Sequence, residues 1–414
     1  MEELKSEIQF SLISYELTKN LTVDQIKKNG IYFTPKSIID ITLDKIKIIM
    51  KKNKIIIKDI LEPCCGSGEF LFKLDECFEK KEIDAYEKNS IIFEKTKDLI
   101  LKNNNLKYEN KDFFHIQENK KYDLIIGNPP YYVLSKSDVS EKYFQYFDGR
   151  PNIFILFLLD CLKKLNKNGL LAFILPINFL NCLYYDKTRN YIQNNYKIHE
   201  IISIPDCKFM KTKQDVFILI IENKISITKN KDYVLKINKN TIFHEPSQIK
   251  CIKNYISECT FLNTLNFTIK VGNVIWNEHK KILTDNSDQT LLIYNSYFKK
   301  NSFEIIPFKN ETKKNYIQIK GINKPVILIN RGYGMGKYQF NYIFMNQSKE
   351  YCVENHCLIL EYKGDKENEK LIEIYEKIIT SFQDPRTESF IETYFKNNAM
   401  NCEEILNILP IYHF

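Results

Sequence analysis

A chain of 414 residues is too long for one ordinary core, so two domains are expected. With 44% hydrophobic and 27% charged residues it reads as globular, which excludes a disordered protein, and no apolar run is long enough for a membrane span. The net charge of +8 suits a polyanionic partner, although Lys, Asn and Ile are enriched throughout and dilute that signal.

The first residues, Met1-Glu2-Glu3-Leu4-Lys5, lack the basic-then-apolar order of a signal peptide, so a cytoplasmic protein is expected. Eleven cysteines include no Cys-x-x-Cys spacing; reduced thiols are expected, with no structural metal. Residues 1–30 read as one or two polar-faced helices ending at Gly30. In Phe33-Thr34-Pro35, Thr34 is a good N-cap and Pro35 suits the first position of a helix carrying Ile38, Ile39, Leu43 and Ile46.

Residues 55–61 form an apolar, β-branched strand that leads into Glu62-Pro63-Cys64-Cys65-Gly66-Ser67-Gly68-Glu69-Phe70 and a helix over 71–79. Strand, Gly-x-Gly turn and helix make the first unit of a nucleotide-binding α/β sheet. The third glycine of a dinucleotide fingerprint and the Gly-Lys-Ser/Thr of a phosphate cradle are both missing. An acidic residue at the strand end repels phosphate and suits the ammonium of an amino acid, which points to S-adenosylmethionine over NAD or ATP. Strand two, 82–86, ends in Glu87, where a carboxylate holds a ribose diol. A polar helix over 90–102 precedes a third strand ending in Asn110-Lys111-Asp112-Phe113-Phe114. There Asp112 can accept from an adenine amine, with Phe113 or Phe114 packed on the ring.

The fourth strand, 124–126, runs into Gly127-Asn128-Pro129-Pro130-Tyr131-Tyr132. Two prolines after an Asn fix a cluster of acceptors beside an aromatic face, which suits a planar amine. An apolar helix over 152–165 ends at Asn168-Gly169, and strands follow over 170–175, 198–204 and 216–221. Runs of strand alternating with helix predict a largely parallel sheet covered on both faces. Gly66, Glu87, Asp112 and Asn128 all fall at or just past strand C-termini, where such sheets bind ligands.

The catalytic, cofactor-binding domain is placed at 1–240 and a mixed α+β domain at 241–414. In the second, Asn330-Arg331-Gly332-Tyr333-Gly334-Met335-Gly336-Lys337-Tyr338 is a basic, aromatic, glycine-rich stretch; Arg331, Tyr333 and Lys337 are candidate nucleic-acid contacts. The last stretch, 367–409, reads as helices.

In this order the motifs resemble the gamma-class N6-adenine DNA methyltransferases of the TaqI type, over nearly the whole chain. The resemblance implies a seven-stranded S-adenosylmethionine-dependent methyltransferase fold with a C-terminal target recognition domain. It implies a cofactor set of Phe33, Thr34, Glu62, Cys64, Gly66, Gly68, Glu87, Asp112, Phe113 and Asn128. The catalytic motif it implies is Asn128-Pro129-Pro130-Tyr131, with Tyr131 and Phe209 against an extrahelical adenine and Phe217 a competitor for the latter place. The implied partner is double-stranded DNA, with scope for a separately encoded cognate restriction endonuclease. The implied cofactor is S-adenosylmethionine, leaving as S-adenosylhomocysteine without a metal, and a monomer away from membranes is expected. Protein glutamine and RNA amine methyltransferases use similar acceptor loops and are the rival readings; a catalytically silent DNA-binding paralogue is a third. A cytosine-C5 enzyme needs a Pro-Cys nucleophile, and the only Pro-Cys here, Pro63-Cys64, lies inside the cofactor motif.

Overall fold

The computed structural model describes residues 9–78, 81–100, 105–116, 119–204, 209–210, 215–225, 227–299, 301–332, 338–365, 367–395 and 400–414. The chain divides into two compact units, one running to residue 236 with 240–249, the other comprising 237–239 and 250–414.

The first unit opens with helices α1 (Leu12–Asn20), α2 (Val23–Asn29) and α3 (Lys36–Asn53). A capping box of Thr22 and Gln25 starts α2, and Gly30 ends it in the left-handed conformation. Strand β1 (Asp59–Glu62) then leads through the glycine turn to α4 (Glu69–Cys77), β2 (Glu82–Tyr86), α5 (Ser90–Ile100), β3 (Leu106–Glu109) and β4 (Tyr122–Gly127). Helix α6 (Ile153–Lys163), β5 (Leu165–Pro176), α7 (Asp186–Asn195), β6 (Lys197–Ile204) and β7 (Val216–Glu222) complete it.

The seven strands lie in the order β3-β2-β1-β4-β5-β7-β6; only β7 runs antiparallel to its neighbours. The chain moves outward from β1 to β3, then restarts at β4 on the other side of β1. That reversal opens a crevice at the C-terminal ends of β1 and β4. Alternation along the strands assigns each face its core. Ile60, Leu124, Ile126, Ala172 and Ile218 pack with α3 and α4, while Leu61, Ile125, Phe173 and Phe217 pack with α6. Because both faces are covered, Leu170–Leu175 and Val216–Ile221 read as unbroken apolar runs.

Several expected boundaries shift. Strand β1 is shorter than 55–61 suggests, and β3 ends at Glu109, before Asn110. Asp112 instead caps a short 3-10 turn, Phe113–His115, by accepting from the Phe114 amide at 3.1 Å. Asn168-Gly169, read as a helix end, lies within β5. Tyr122 pairs with Leu165 but Leu124 with Leu170, so the extra residues make a bulge with Asn168 at φ 62°. The turn residues were genuine; the turn they make belongs to the strand.

Among the described residues, the second unit is built on two four-stranded sheets beside smaller two-stranded ones. One orders Phe267–Val271, Cys357–Tyr362, Val326–Asn330 and Tyr342–Met345, all antiparallel. The other is mixed, and helices Asn368–Gln383, Pro385–Tyr394 and Cys402–Asn407 follow. No helix among the described residues is long and apolar enough to cross a membrane.

Candidate active site

The crevice is a cavity of about 460 Å³. Phe33, Thr34, Glu62, Cys64, Gly66, Glu87, Asp112, Phe113 and Asn128 all line it, so nine residues up to 95 positions apart in sequence meet on one wall system. Gly68 does not line it. At φ 82° Gly68 caps the start of α4, and a Cβ there would come within 2.6 Å of Ile100 Cδ1; its glycine is needed for helix packing.

Glu62 ends β1 at 1% exposure, and its Oε2 has no hydrogen-bond partner. Burial pushes its carboxyl well above the usual carboxylate range, and the Glu87 carboxyl adds to the shift. Glu87, at the end of β2, accepts from the Gly66 amide at 2.8 Å and the Asn89 amide at 2.7 Å. Burial raises it too, against the pull of those amides. The two bonds tie the glycine turn to the loop before α5 and leave lone pairs on both oxygens. Asp112 Oδ2 pairs with Lys88 Nζ at 2.8 Å, and Phe113 stacks on Phe157 with ring centroids 5.5 Å apart. Cys64 and Cys65 are pushed well above the usual thiol range by burial and then by Glu62, so neither is poised as a thiolate.

Asn128, just past β4, is engaged at both ends of its amide. Nδ2 donates to the Tyr32 carbonyl at 3.2 Å and to Thr34 Oγ1 at 3.1 Å; Oδ1 accepts from the Tyr131 hydroxyl at 2.6 Å. The Tyr131 ring is half-buried, edge-on to Phe154, with its hydroxyl also 2.9 Å from the Ile174 carbonyl. Tyr132, not Tyr131, lines the cavity together with Pro130. Phe209 is 7% exposed in the core layer of α3 and α4, and would have to leave it to meet a base. Phe217 is wholly buried against Phe179 in the opposite layer and cannot compete for that role.

Residues 29–32 and 88–92, which form much of the wall, carry no binding motif in the sequence. A second unforeseen link joins α1 to the glycine turn: Ser11 and Ser14 hydroxyls donate to Glu69 Oε1 at 2.7 and 2.5 Å. These partners are 55 and 58 residues apart, beyond any local pattern. Gly30 did carry a signal, as a helix-ending glycine. At φ 61° its missing Cβ would stand 2.8 Å from the Tyr131 amide and 3.0 Å from Pro130 Cβ. Gly30→Ala is therefore expected to cost about 2 kcal/mol of stability and to displace the loop that carries Asn128. Urea denaturation checks the first part; a midpoint equal to wild type would show that the loop can yield.

In the second unit, Asn330 pins the base of the glycine-rich stretch. Its Oδ1 accepts from the Asn341 amide at 2.7 Å and its Nδ2 donates to the Gln339 carbonyl at 2.6 Å. Arg331 is half-buried, its amide donating to the His356 carbonyl at 3.1 Å. Tyr333 and Lys337 lie outside the described residues.

Strand order, crevice and acidic strand ends together define the fold of an S-adenosylmethionine-dependent methyltransferase. Residues 29–210 match the family described as Eco57I restriction-modification methylase. The chain is 29% identical over 407 residues to the type II methyltransferase M.CvrRI of Paramecium bursaria Chlorella virus XZ-6E, covering 96% of this chain and 98% of that one. It is 26% identical over 288 residues to modification methylase CviBIII of Paramecium bursaria Chlorella virus NC1A, covering 68% and 69%. The type IIG restriction endonuclease BpuSI superposes with a TM-score of 0.47 at 12% identity, over 97% of this chain and 60% of that one. The chain thus has a methyltransferase fold and is similar to methyltransferases of the restriction-modification type.

Proposed function

We propose that the chain transfers a methyl group from S-adenosylmethionine to the N6 amine of an adenine flipped out of a specific double-stranded DNA sequence. The observation that carries this reading is the Asn128 amide. It stands at the end of β4, on the wall of a cavity whose other walls suit that cofactor. The unpartnered Glu62 oxygen fits an ammonium, the free lone pairs of Glu87 fit a ribose diol, and Asp112 with Phe113 fits an adenine ring. When bound, this cofactor supplies an electrophilic methyl on a sulfonium.

The chain's own work is to hold the amine. An adenine amine is a weak nucleophile because its lone pair is delocalised into the ring. Acceptance of its two hydrogens by Asn128 Oδ1 and the Pro129 carbonyl favours a tetrahedral nitrogen whose lone pair can attack. Tyr131 supplies an aromatic face for the base once its hydroxyl leaves Asn128. Because the nitrogen is paired inside a duplex, the base must be extruded to reach the pocket. The second unit, with Arg331, Tyr333 and Lys337, would read the DNA sequence, and a separately encoded restriction endonuclease would be the functional counterpart.

The test is transfer of labelled methyl from S-adenosylmethionine to unmethylated duplex DNA, total RNA and a protein extract, with the modified residue identified by mass. N6-methyladenine in DNA is the expected product. Label confined to RNA or to protein glutamine would overturn the substrate assignment.

A further inference from the structure

The polarity of the Asn128 amide matters to the reaction: presented the wrong way round, it would offer an N–H to an amine that needs an acceptor. The surroundings decide that polarity. One of the two atoms facing Nδ2 is the Tyr32 carbonyl oxygen, which can only accept, so the nitrogen end must point toward residues 32–34. The other is the Thr34 hydroxyl, at 3.1 Å and on a residue only 5% exposed. The sequence offers Thr34 as a helix cap. Helix α3 instead begins at Lys36 with Pro35 in the capping position and no side-chain cap bond, which leaves the Thr34 hydroxyl available to Asn128.

The far end of the amide is consistent with this. Its Oδ1 accepts from the Tyr131 hydroxyl, where the substrate amine is to bind. That hydroxyl has a second acceptor in reach, the Ile174 carbonyl at 2.9 Å. Tyr131 can therefore release Asn128 to the substrate without leaving its own proton unpartnered, while Tyr32 and Thr34 keep their grip on the nitrogen end.

We propose that Thr34, with the Tyr32 carbonyl, is a positioning residue for the chemical step, holding the Asn128 amide so that Oδ1 faces the target amine. This rests on the reading of Asn128 as the amine's acceptor. It assigns Thr34 a role beyond forming a wall of the cofactor cavity.

The experiment compares Thr34→Val, which keeps the shape and removes the acceptor, with Thr34→Ser, which restores the hydroxyl. Turnover of duplex DNA at saturating S-adenosylmethionine is measured beside cofactor Kd by calorimetry. The expected result is a kcat about tenfold lower in Thr34→Val, a Kd within about twofold of wild type, and kcat recovered in Thr34→Ser. A Thr34→Val enzyme with weakened cofactor binding and full kcat at saturation would make Thr34 a cofactor contact only and overturn the proposal. Equal loss in Thr34→Ser would also overturn it, since the hydroxyl would not be the operative group. Asn128→Ala measured alongside separates the two levels. If that variant stays active, the reading of the site fails; if it is dead while Thr34→Val is fully active, only the present inference fails.

Discussion

Asn128→Ala is expected to lower methyl transfer by about 10³-fold while cofactor affinity stays near wild type. The separation follows from where the side chain makes its bonds. Its partners, Tyr32, Thr34 and Tyr131, belong to the cavity wall at residues 32–34 and to the loop that carries Asn128 itself. Of the cavity-wall carboxylates, Glu87 bonds to the Gly66 and Asn89 amides and Glu62 Oε2 has no partner, so neither depends on Asn128. Removing the amide deletes an acceptor needed most as the amine nitrogen becomes tetrahedral, so the loss should fall on kcat. It also leaves the Tyr32 carbonyl and Thr34 hydroxyl without their donor, a stability cost of roughly 1–3 kcal/mol. Single-turnover rates on DNA, cofactor titration and a urea midpoint together resolve these effects. Loss of cofactor binding with an intact fold would show that the division of labour drawn here is wrong.

Much of the site was legible because it obeys local rules. Strands announced by β-branched runs end in residues whose chemistry differs from their surroundings, and a parallel sheet gathers strand ends at one edge. Glu62, Glu87 and Asn128 fall at strand ends on sequence alone. What stayed hidden depends on tertiary pairing. Thr34 looked like a cap because its neighbours favour one, yet its hydroxyl serves a residue 94 positions away. The Ser11, Ser14 and Glu69 contacts have no sequence period at all. Asp112 reads from sequence as the end of the third strand; its own short side chain accepts from the Phe114 amide and turns the chain just past Glu109 instead. Phe209 enters only through the resemblance, and the sheet face buries it.

Glu62→Gln should separate stability from function in opposite directions. In the protein without cofactor, burial favours the protonated acid, because the ionised form leaves Oε2 in the cavity wall without a partner. The folded-state pKa is raised, so Glu62 contributes stability that is present below its unfolded value of about 4.5 and lost as pH rises through the folded value. At neutral pH the group is therefore a burden, and the uncharged amide should stabilise the free protein by about 1–3 kcal/mol. In the proposed role, cofactor binding would reverse the preference, since an ammonium beside Glu62 favours the carboxylate. Binding must then expel a proton from any Glu62 still protonated. Wild-type affinity should rise with pH, by at most about tenfold per unit, until the raised pKa is passed. In Glu62→Gln that component should vanish, and affinity at neutral pH should fall on the order of 100-fold. Glu87 is also raised by burial and remains in both proteins, so the difference between the two pH curves isolates Glu62. Calorimetry in two buffers of different ionisation enthalpy counts the released proton directly. A variant that binds cofactor as well as wild type, or unfolds earlier than it, would remove Glu62 from the role of ammonium partner.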